Sequence, residues 1–320
     1  MSQVVSLGEL IVDMLSSTQD ASIAESASFI PAPGGAPANV AVGCVRQGVS
    51  ATYIGKVGED AFGHFMYETM ASQGVDASGI AFDPDARTTL NFNARRADGV
   101  RECLFYRHPG ADMRLSAEDI RPELFQGAEV LHFGSVTLSS KNGCEATDRA
   151  IALARENGMW VSYDPNLRLG LWTAPEAEIR ETILSYFPKA DFVKISDDES
   201  EFILGTGVPC EIAEKLFAMG VKLVVVTMGA KGCYWTDGKA SGSFDAMKGI
   251  EAIDTTGAGD SFVASMVSHL VWRKTEGLPL VADQAYADAC DFANRAGALA
   301  TTKIGAIPAL PTREEVLATY

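Results

Sequence analysis

Hydrophobic and polar positions along this chain follow two alternating rhythms. Val4–Leu7 and the runs at 52–57, 130–133, 160–163, 192–195 and 223–226 are short, apolar and rich in β-branched residues, which predicts buried strands. Between them, apolar residues recur at helical spacing. Val40, Val42, Cys44 and Val45 give one buried side that Gly48 stops; 60–72 ends at Gly74, 142–156 closes at Asn157-Gly158, and 211–219 is a further helix. Residues 75–82 lead into another strand. Strand and helix in turn predict a mainly parallel sheet with helices on its faces, an α/β architecture. Two long helices, at about 258–273 and 281–301, follow. Thr173 with Glu176, and Thr312 with Glu315, predict helix-starting capping boxes.

Two stretches break the rhythm. Apolar alternation continues after Gly8 through Leu10, Val12 and Met14, and a polar, proline-containing segment then carries a strand at about 27–30. Further on, strands at 90–94 and 102–106 are joined at Ala97-Asp98-Gly99, where Asp-Gly is a hairpin signal. Arg95, Arg96, Arg101 and Arg107 crowd this hairpin. They read as solvated edge charges, while a hairpin inserted into an α/β domain is a natural lid over a site.

Composition narrows the function. A chain of 320 residues with 47% hydrophobic content supports one large core, and no repeat or linker divides it. Its net charge of −16 repels nucleic acid and anionic membranes. No uninterrupted apolar run has the length of a membrane span. The N-terminal apolar run, broken by Glu9 and Asp13, lacks a basic leader, and the six cysteines show no C-x-x-C spacing. These features predict a cytoplasmic protein with reduced thiols.

The chemistry concentrates where glycines open helices. In Asp254-Thr-Thr-Gly-Ala-Gly-Asp260, the near-absence of side chains at Gly257, Ala258 and Gly259 lets backbone N–H groups and the positive helix end converge on an anion. Asp260, on the rim, can accept a proton from a hydroxyl attacking phosphorus. The alternative is an ordinary Asp-capped glycine turn. Gly34 and Gly35 precede a second helix whose start carries Asn39, an amide able to face a hydroxylated ligand or merely its own turn. Asp13 sits near a strand end, where it is solvated or binds a polar ligand. Asp164, Asn166 and Arg168 follow a strand's carboxyl end, where open α/β sheets bind ligands; Arg168 is a candidate phosphate clamp, or simply pairs with Asp164. At the next strand end, Lys194 can face phosphate and Glu199 can hold hydrated Mg²⁺ through water. No complete P-loop or dinucleotide fingerprint occurs at a strand–helix junction.

Gly34-Gly-Ala-Pro-Ala-Asn39 and Asp254-Thr-Thr-Gly-Ala-Gly-Asp260, in this order, resemble the two diagnostic motifs of the ribokinase-like, PfkB carbohydrate kinases. The resemblance covers Gly8 to Pro311 and implies a single three-layer α/β sandwich with a small discontinuous β lid, from about 12–34 and 87–110. It also implies an ATP- and Mg²⁺-dependent transfer with Asp260 as base and Gly257, Ala258 and Gly259 as the anion hole. By the same resemblance the sugar is bound by Asp13, Gly34, Gly35 and Asn39, with Arg107 and Arg168 as further contacts. The nucleotide is bound by Thr227, Gly229, Gly232 and Asn294, with Lys194 and Ser196 nearby. A monovalent cation, K⁺, would sit near Asp254, Thr256, Ala300, Lys303 and Gly305, and the lid implies a homodimer. Phe105 to Met113, Tyr163 to Trp172 and Lys194 to Glu199 resemble the fructokinase branch; Ser196, where the broad family has Asn, is common there. Kinases for aminoimidazole riboside, ribose or 2-keto-3-deoxygluconate, and a non-catalytic sugar sensor on the same fold, are the alternatives.

Overall fold

The computed structural model describes residues 2–98, 100–107, 109–275 and 283–320. Thirteen strands lie among them: β1 (Val4–Leu7), β2 (Ile11–Ser16), β3 (Phe29–Gly34), β4 (Ala51–Gly58), β5 (Asp76–Asp83), β6 (Leu90–Arg95), β7 (Arg101–Tyr106), β8 (Val130–Gly134), β9 (Trp160–Asp164), β10 (Phe192–Ser196), β11 (Leu223–Thr227), β12 (Cys233–Thr236) and β13 (Ser241–Phe244). Nine of them form one sheet in the order β13-β12-β11-β10-β9-β8-β1-β4-β5. It is parallel except at β12 and β13, which pair antiparallel at one edge.

Neighbouring residues of one strand feed two different cores, which is why these runs are apolar throughout. Val4, Leu223 and Val225 belong to one buried cluster, and Val5, Val224 and Val226 to the other. The first cluster is closed by α1 (Ala36–Arg46), α2 (Ala61–Ser72), α7 (Ala258–Thr275) and α8 (Asp283–Ala300). The second is closed by α3 (Lys141–Glu156), α4 (Glu176–Tyr186), α5 (Asp197–Leu204) and α6 (Pro209–Ala218). Two short helices, α9 (Ala306–Ala309) and α10 (Arg313–Leu317), complete the chain. Across the first cluster α1 and α7 pack unusually close. A Cβ at Gly43 would lie 2.5 Å from the Ala264 Cβ, so glycine permits this approach.

The remaining strands form a separate sheet, β3-β2-β6-β7. Its β3 spans Phe29–Gly34, later than the sequence pattern predicts, and contains Pro31 and Pro33. Both are tolerated because β3 is an edge, where a missing N–H leaves no ladder bond broken. Register aligns Asp13 with Asn91 and Asn91 with Phe105, so these residues share one face. Every lid strand adjoins the body through a short crossing; β1 passes into β2 over residues 8–10.

Two expected details differ. Thr173 and Glu176 do not form a capping box: Pro175 has ψ 149, an extended value, so α4 starts only at Glu176 with Pro175 as its N-cap. Ser196 with Glu199, and Thr312 with Glu315, do form such boxes. The hairpin's Gly99 and the expected start of the last long helix at Val281 lie outside the described residues.

Candidate active site

Helix α7 begins where its sequence loses side chains. Gly257 has φ 80, and Ala258 is the first helical residue. Among the described residues, the N–H groups of Gly257, Gly259 and Asp260 make no hydrogen bond to protein, so the helix mouth presents three converging donors. A Cβ on Gly259 would come to 3.3 Å from Lys194 Nζ, which places an ammonium beside the same opening.

Asp260 lies in the first turn, 8% exposed. Asn39 Nδ2, from the first turn of α1, donates to its Oδ2 at 2.7 Å, and Asn166 Nδ2, from the loop after β9, donates to its Oδ1 at 3.2 Å. Burial pushes the Asp260 carboxyl above its ordinary value, while Asn39, Arg168 and Lys194 draw it back. The Asp260 carboxyl is thereby buried among groups that favour its ionised form.

Around it, charge is arranged in a chain. Lys194 Nζ pairs with Asp164 at 3.1 Å, both side chains buried. Burial alone would lower Lys194, but Asp164 and Glu199 outweigh it and hold the ammonium charged. Glu199 has one carboxylate oxygen on the Ser196 hydroxyl, at 2.8 Å, and the other on the Leu167 N–H. Burial opposes its ionisation; Lys194 and these donors prevail and keep it below the usual carboxylate range. Arg168 is exposed, and among the described residues its guanidinium hydrogen-bonds only the Leu167 carbonyl.

The lid face supplies the other half. Asp13 accepts from Asn91 Nδ2 at 2.7 Å and from Asn93 Nδ2 at 3.0 Å. Gly34 lies against it: a Cβ there would fall 2.3 Å from Asp13 Oδ2. Gly35 has φ 112, and a Cβ would meet the Glu9 carbonyl at 2.2 Å, so only glycine fits this corner. Among the described residues, Asn39 Oδ1 and Asn91 Oδ1 are buried acceptors without a donor. Sequence reasoning missed Asn91 and Asn93. The alternation Asn91-Phe92-Asn93 in a lid strand was the available signal, since it puts two amides on one face.

Arg107 departs from expectation. It is no solvated edge charge: at 3% exposure its guanidinium grips Asp112 through Nε and Nη2, and donates to Ser139 and to the Leu171 carbonyl, while the side chain also borders a cavity beside β7. It braces the crossing from β7 back to the body. A cavity of about 820 Å³ opens between β7 and the loop after β9, walled by Phe105, Leu167, Arg168, Trp172, Glu199 and Phe202. It runs up to the charged cluster, although neither Asp13 nor Asp260 is among its walls.

Of the remaining predicted residues, some lie where β10 and β11 end and others on the loops beside the helix mouth. Thr227 closes β11 beside Ser196 of β10. Gly229 (φ 53) and Gly232 (φ 91) shape the turn into β12, where a Cβ on Gly232 would collide with the Phe244 carbonyl. Asn294 donates to the Asp245 carbonyl at 2.8 Å. Asp254 accepts from Thr256 Oγ1 at 2.6 Å and from the Gly305 N–H at 2.9 Å, which draws the loop after Ala300 to the helix mouth. Lys303 instead turns its ammonium to Glu315 at 3.5 Å, leaving only its backbone on this loop's inner side.

Comparison with known proteins decides the family. The profile described as pfkB family carbohydrate kinase matches residues 1–313. The chain belongs to the pfkB family of carbohydrate kinases. Members of this family are phosphotransferases, and relatives place the chain among particular ones. It is 42% identical to fructokinase-1 of Zea mays, covering 98% of this chain and 96% of that protein, and 43% identical to the probable fructokinase-2 of Arabidopsis thaliana, covering 98% and 94%. A solved double mutant of the fructokinase from Vibrio cholerae O395, in fructose, ADP and potassium ion bound form, superposes with a TM-score of 0.88. It is 35% identical, with 100% of this chain and 98% of that chain covered. Aminoimidazole riboside kinase from Salmonella enterica, complexed with aminoimidazole riboside and an ATP analog, gives a TM-score of 0.83 at 29% identity, covering 99% and 98%. In this chain the ribokinase-like fold of its solved relatives takes the form of a mostly parallel nine-stranded sheet and a separate four-stranded sheet. Among the described residues, no helix is long and apolar enough to cross a membrane.

Proposed function

We propose that this chain is an ATP-dependent fructokinase, transferring a phosphoryl group to the 6-hydroxyl of D-fructose. The observation that carries the reading is the pair of buried acceptors, Asn39 Oδ1 and Asn91 Oδ1, set beside Asp13 and Asp260. Unpaired buried acceptors are unfavourable unless a ligand supplies donors, and a polyhydroxylated sugar supplies several. Identity of 42–43% to fructokinases, against 29% to the riboside kinase, favours fructose over the other acceptors.

In this reading Asp260 orients the hydroxyl and accepts its proton as the oxygen–phosphorus bond forms. The three free N–H groups at the helix mouth and the Lys194 ammonium fit a phosphate, because Gly259 leaves the space between them open. ATP supplies the phosphoryl group. Thr227, Gly229, Gly232, Ser196 and Asn294 would hold the nucleotide, and Arg168 closes over the phosphate or the sugar. Glu199 fits a hydrated Mg²⁺: it is an ionised oxygen donor whose oxygens already serve protein groups, so it would act through water. K⁺ would be held by oxygens of Asp254 and Thr256 and by the backbone of Ala300, Lys303 and Gly305; the Gly305 N–H bond to Asp254, which brings the two segments together, supports this. Asp13, with Gly34 and Gly35 beside it, would grip the sugar, and Arg107, paired with Asp112 at the edge of the cavity, would support the small sheet beside it.

Ile30, Leu104 and Tyr106 expose 60%, 44% and 61% of their surface on the lid, which supports a homodimer formed there. Six free cysteines support a reducing, cytoplasmic location.

The test is ADP release measured with fructose, ribose, aminoimidazole riboside and 2-keto-3-deoxygluconate. Fructose should give the highest kcat/KM, by about 10-fold or more. A higher value for any other acceptor overturns fructose while leaving the kinase, and sugar binding without turnover under any nucleotide donor overturns both.

A further inference from the structure

We propose that Asn166 is a positioning residue for the catalytic base: its amide, opposite that of Asn39, fixes the plane of the Asp260 carboxylate towards the incoming hydroxyl. This rests on the kinase reading above and assigns the base a second, separate support.

A carboxylate held by one hydrogen bond can still swing about that bond. Held at both oxygens from different directions, it cannot. Asn39 takes Oδ2 from α1 and Asn166 takes Oδ1 from the loop after β9, so the two clamps belong to elements far apart in sequence. Each oxygen has two acceptor sites, so both clamps can persist when a hydroxyl arrives.

The backbone at Asn166 shows that the placement is imposed. Its φ is 42, in the left-handed region; among the described residues only Asp20, an exposed residue, shares this among non-glycines. A left-handed non-glycine is unfavourable and persists where its surroundings hold it. Here they do so at successive residues. Lys194 pairs with Asp164, the Asn166 N–H donates to Asp164 Oδ1, the Ser135 N–H and hydroxyl both donate to the Pro165 carbonyl, and the Leu167 N–H donates to Glu199. The loop is anchored to β9, β10 and α5, and the one amide it projects inward meets the base. A loop needed only to connect β9 to α4 would gain nothing from asparagine in this conformation, where glycine is free of strain.

Two variants remove the donor and keep the loop. Asn166→Gly adopts the left-handed conformation without strain, and Asn166→Asp tolerates it while replacing the amide by an acceptor. With Asn166→Gly, kcat should fall about 10- to 100-fold while KM for fructose and the melting temperature hold. The acid limb of the pH profile should move to higher pH, because Asp260 loses a donor that favours its ionised form. Arg168 and Lys194 still favour ionisation while Glu199 and Asp164 oppose it, so Asn166→Asp, adding a further acceptor, should move the limb further. In an Asp260→Asn background, Asn166→Gly should have no further effect on the residual rate. Wild-type kcat in both variants, an unmoved acid limb, or equal losses in both backgrounds overturns the proposal. If Asp260→Asn itself keeps the wild-type rate, the base assignment falls and the clamp with it; if Asp260→Asn is inactive and the Asn166 variants are not, the clamp alone falls.

Discussion

Asp260 and Asp13 are both carboxylates gripped by two asparagine amides, yet the grips are built differently. Asp13 stands on β2, and both its amides come from the adjacent β6, so the whole unit lies within one small sheet. Asp260 stands on α7, and its amides come from α1 and from the loop after β9, so its geometry depends on the packing of the body. If the small sheet moves as a lid, the Asp13 cluster proposed to hold the sugar would travel with it intact. Asp260 is fixed to the body, which would suit the proposed base beside the N–H groups at the mouth of its own helix.

The strongest break in this comparison is Asp260→Asn. It conserves the side chain's size but removes the proposed base and leaves one of the two clamping amides facing a donor, so kcat should drop by about 10² to 10⁴ while calorimetry still detects fructose binding. Asp13→Asn should act at the other end: kcat/KM for fructose should fall roughly 10- to 100-fold, chiefly through KM, because a charged acceptor for sugar hydroxyls is lost. A fall confined to kcat would show that Asp13 belongs with the chemistry and not with the lid's grip.

Glu9, on the crossing between β1 and β2, tests how lid and body are joined. Its Oε1 accepts the Ala36 N–H at 2.9 Å and its Oε2 is buried without a donor among the described residues. Burial raises it from 4.5 to about 7, while Arg107 and the Ala36 N–H pull down. The folded chain therefore retains a proton that the unfolded chain releases near pH 4.5. From this group, stability is lost as pH rises from about 4.5 to about 7. Glu9→Gln removes that dependence. Denaturant unfolding should show the variant gaining on wild type between about pH 5 and about pH 8 by on the order of 2 kcal/mol; a pH-independent difference would contradict a buried, titrating Glu9. The smallest catalytic effect is expected at the outer lid. Leu104→Asp with Tyr106→Asp should shift sedimentation towards monomer and change kcat less than about threefold, and an unaltered sedimentation profile would remove the lid dimer.

What the sequence made legible was carried by residues whose local chemistry is self-contained. The strands feeding both cores show as continuous apolar runs, and the helix mouth shows because glycine, alanine and glycine beside aspartate have few other uses. The lid hairpin announced itself through Asp98 and its following glycine. Arg107 was not legible: its burial depends on Asp112, which the turn between them folds back onto it, and nothing local distinguishes it from exposed Arg95 or Arg96. Asn166 was visible as a residue at a strand end. Its hold on Asp260 spans 94 positions and exists only after β9 and α7 are packed. Thr173 failed as a cap because the pattern cannot show which ψ Pro175 adopts.

Gly43 gives the site its scale. Asn39 sits at the start of α1 and Asp260 at the start of α7, and the two helices meet where the hydrogen of Gly43 faces the methyl of Ala264. A methyl at position 43 would wedge α1 from α7 and lengthen the 2.7 Å contact between Asn39 and Asp260. Gly43, which takes no part in that contact itself, thus acts as a spacer gauge, and the separation of Asn39 from Asp260 is written in the thickness of one missing carbon.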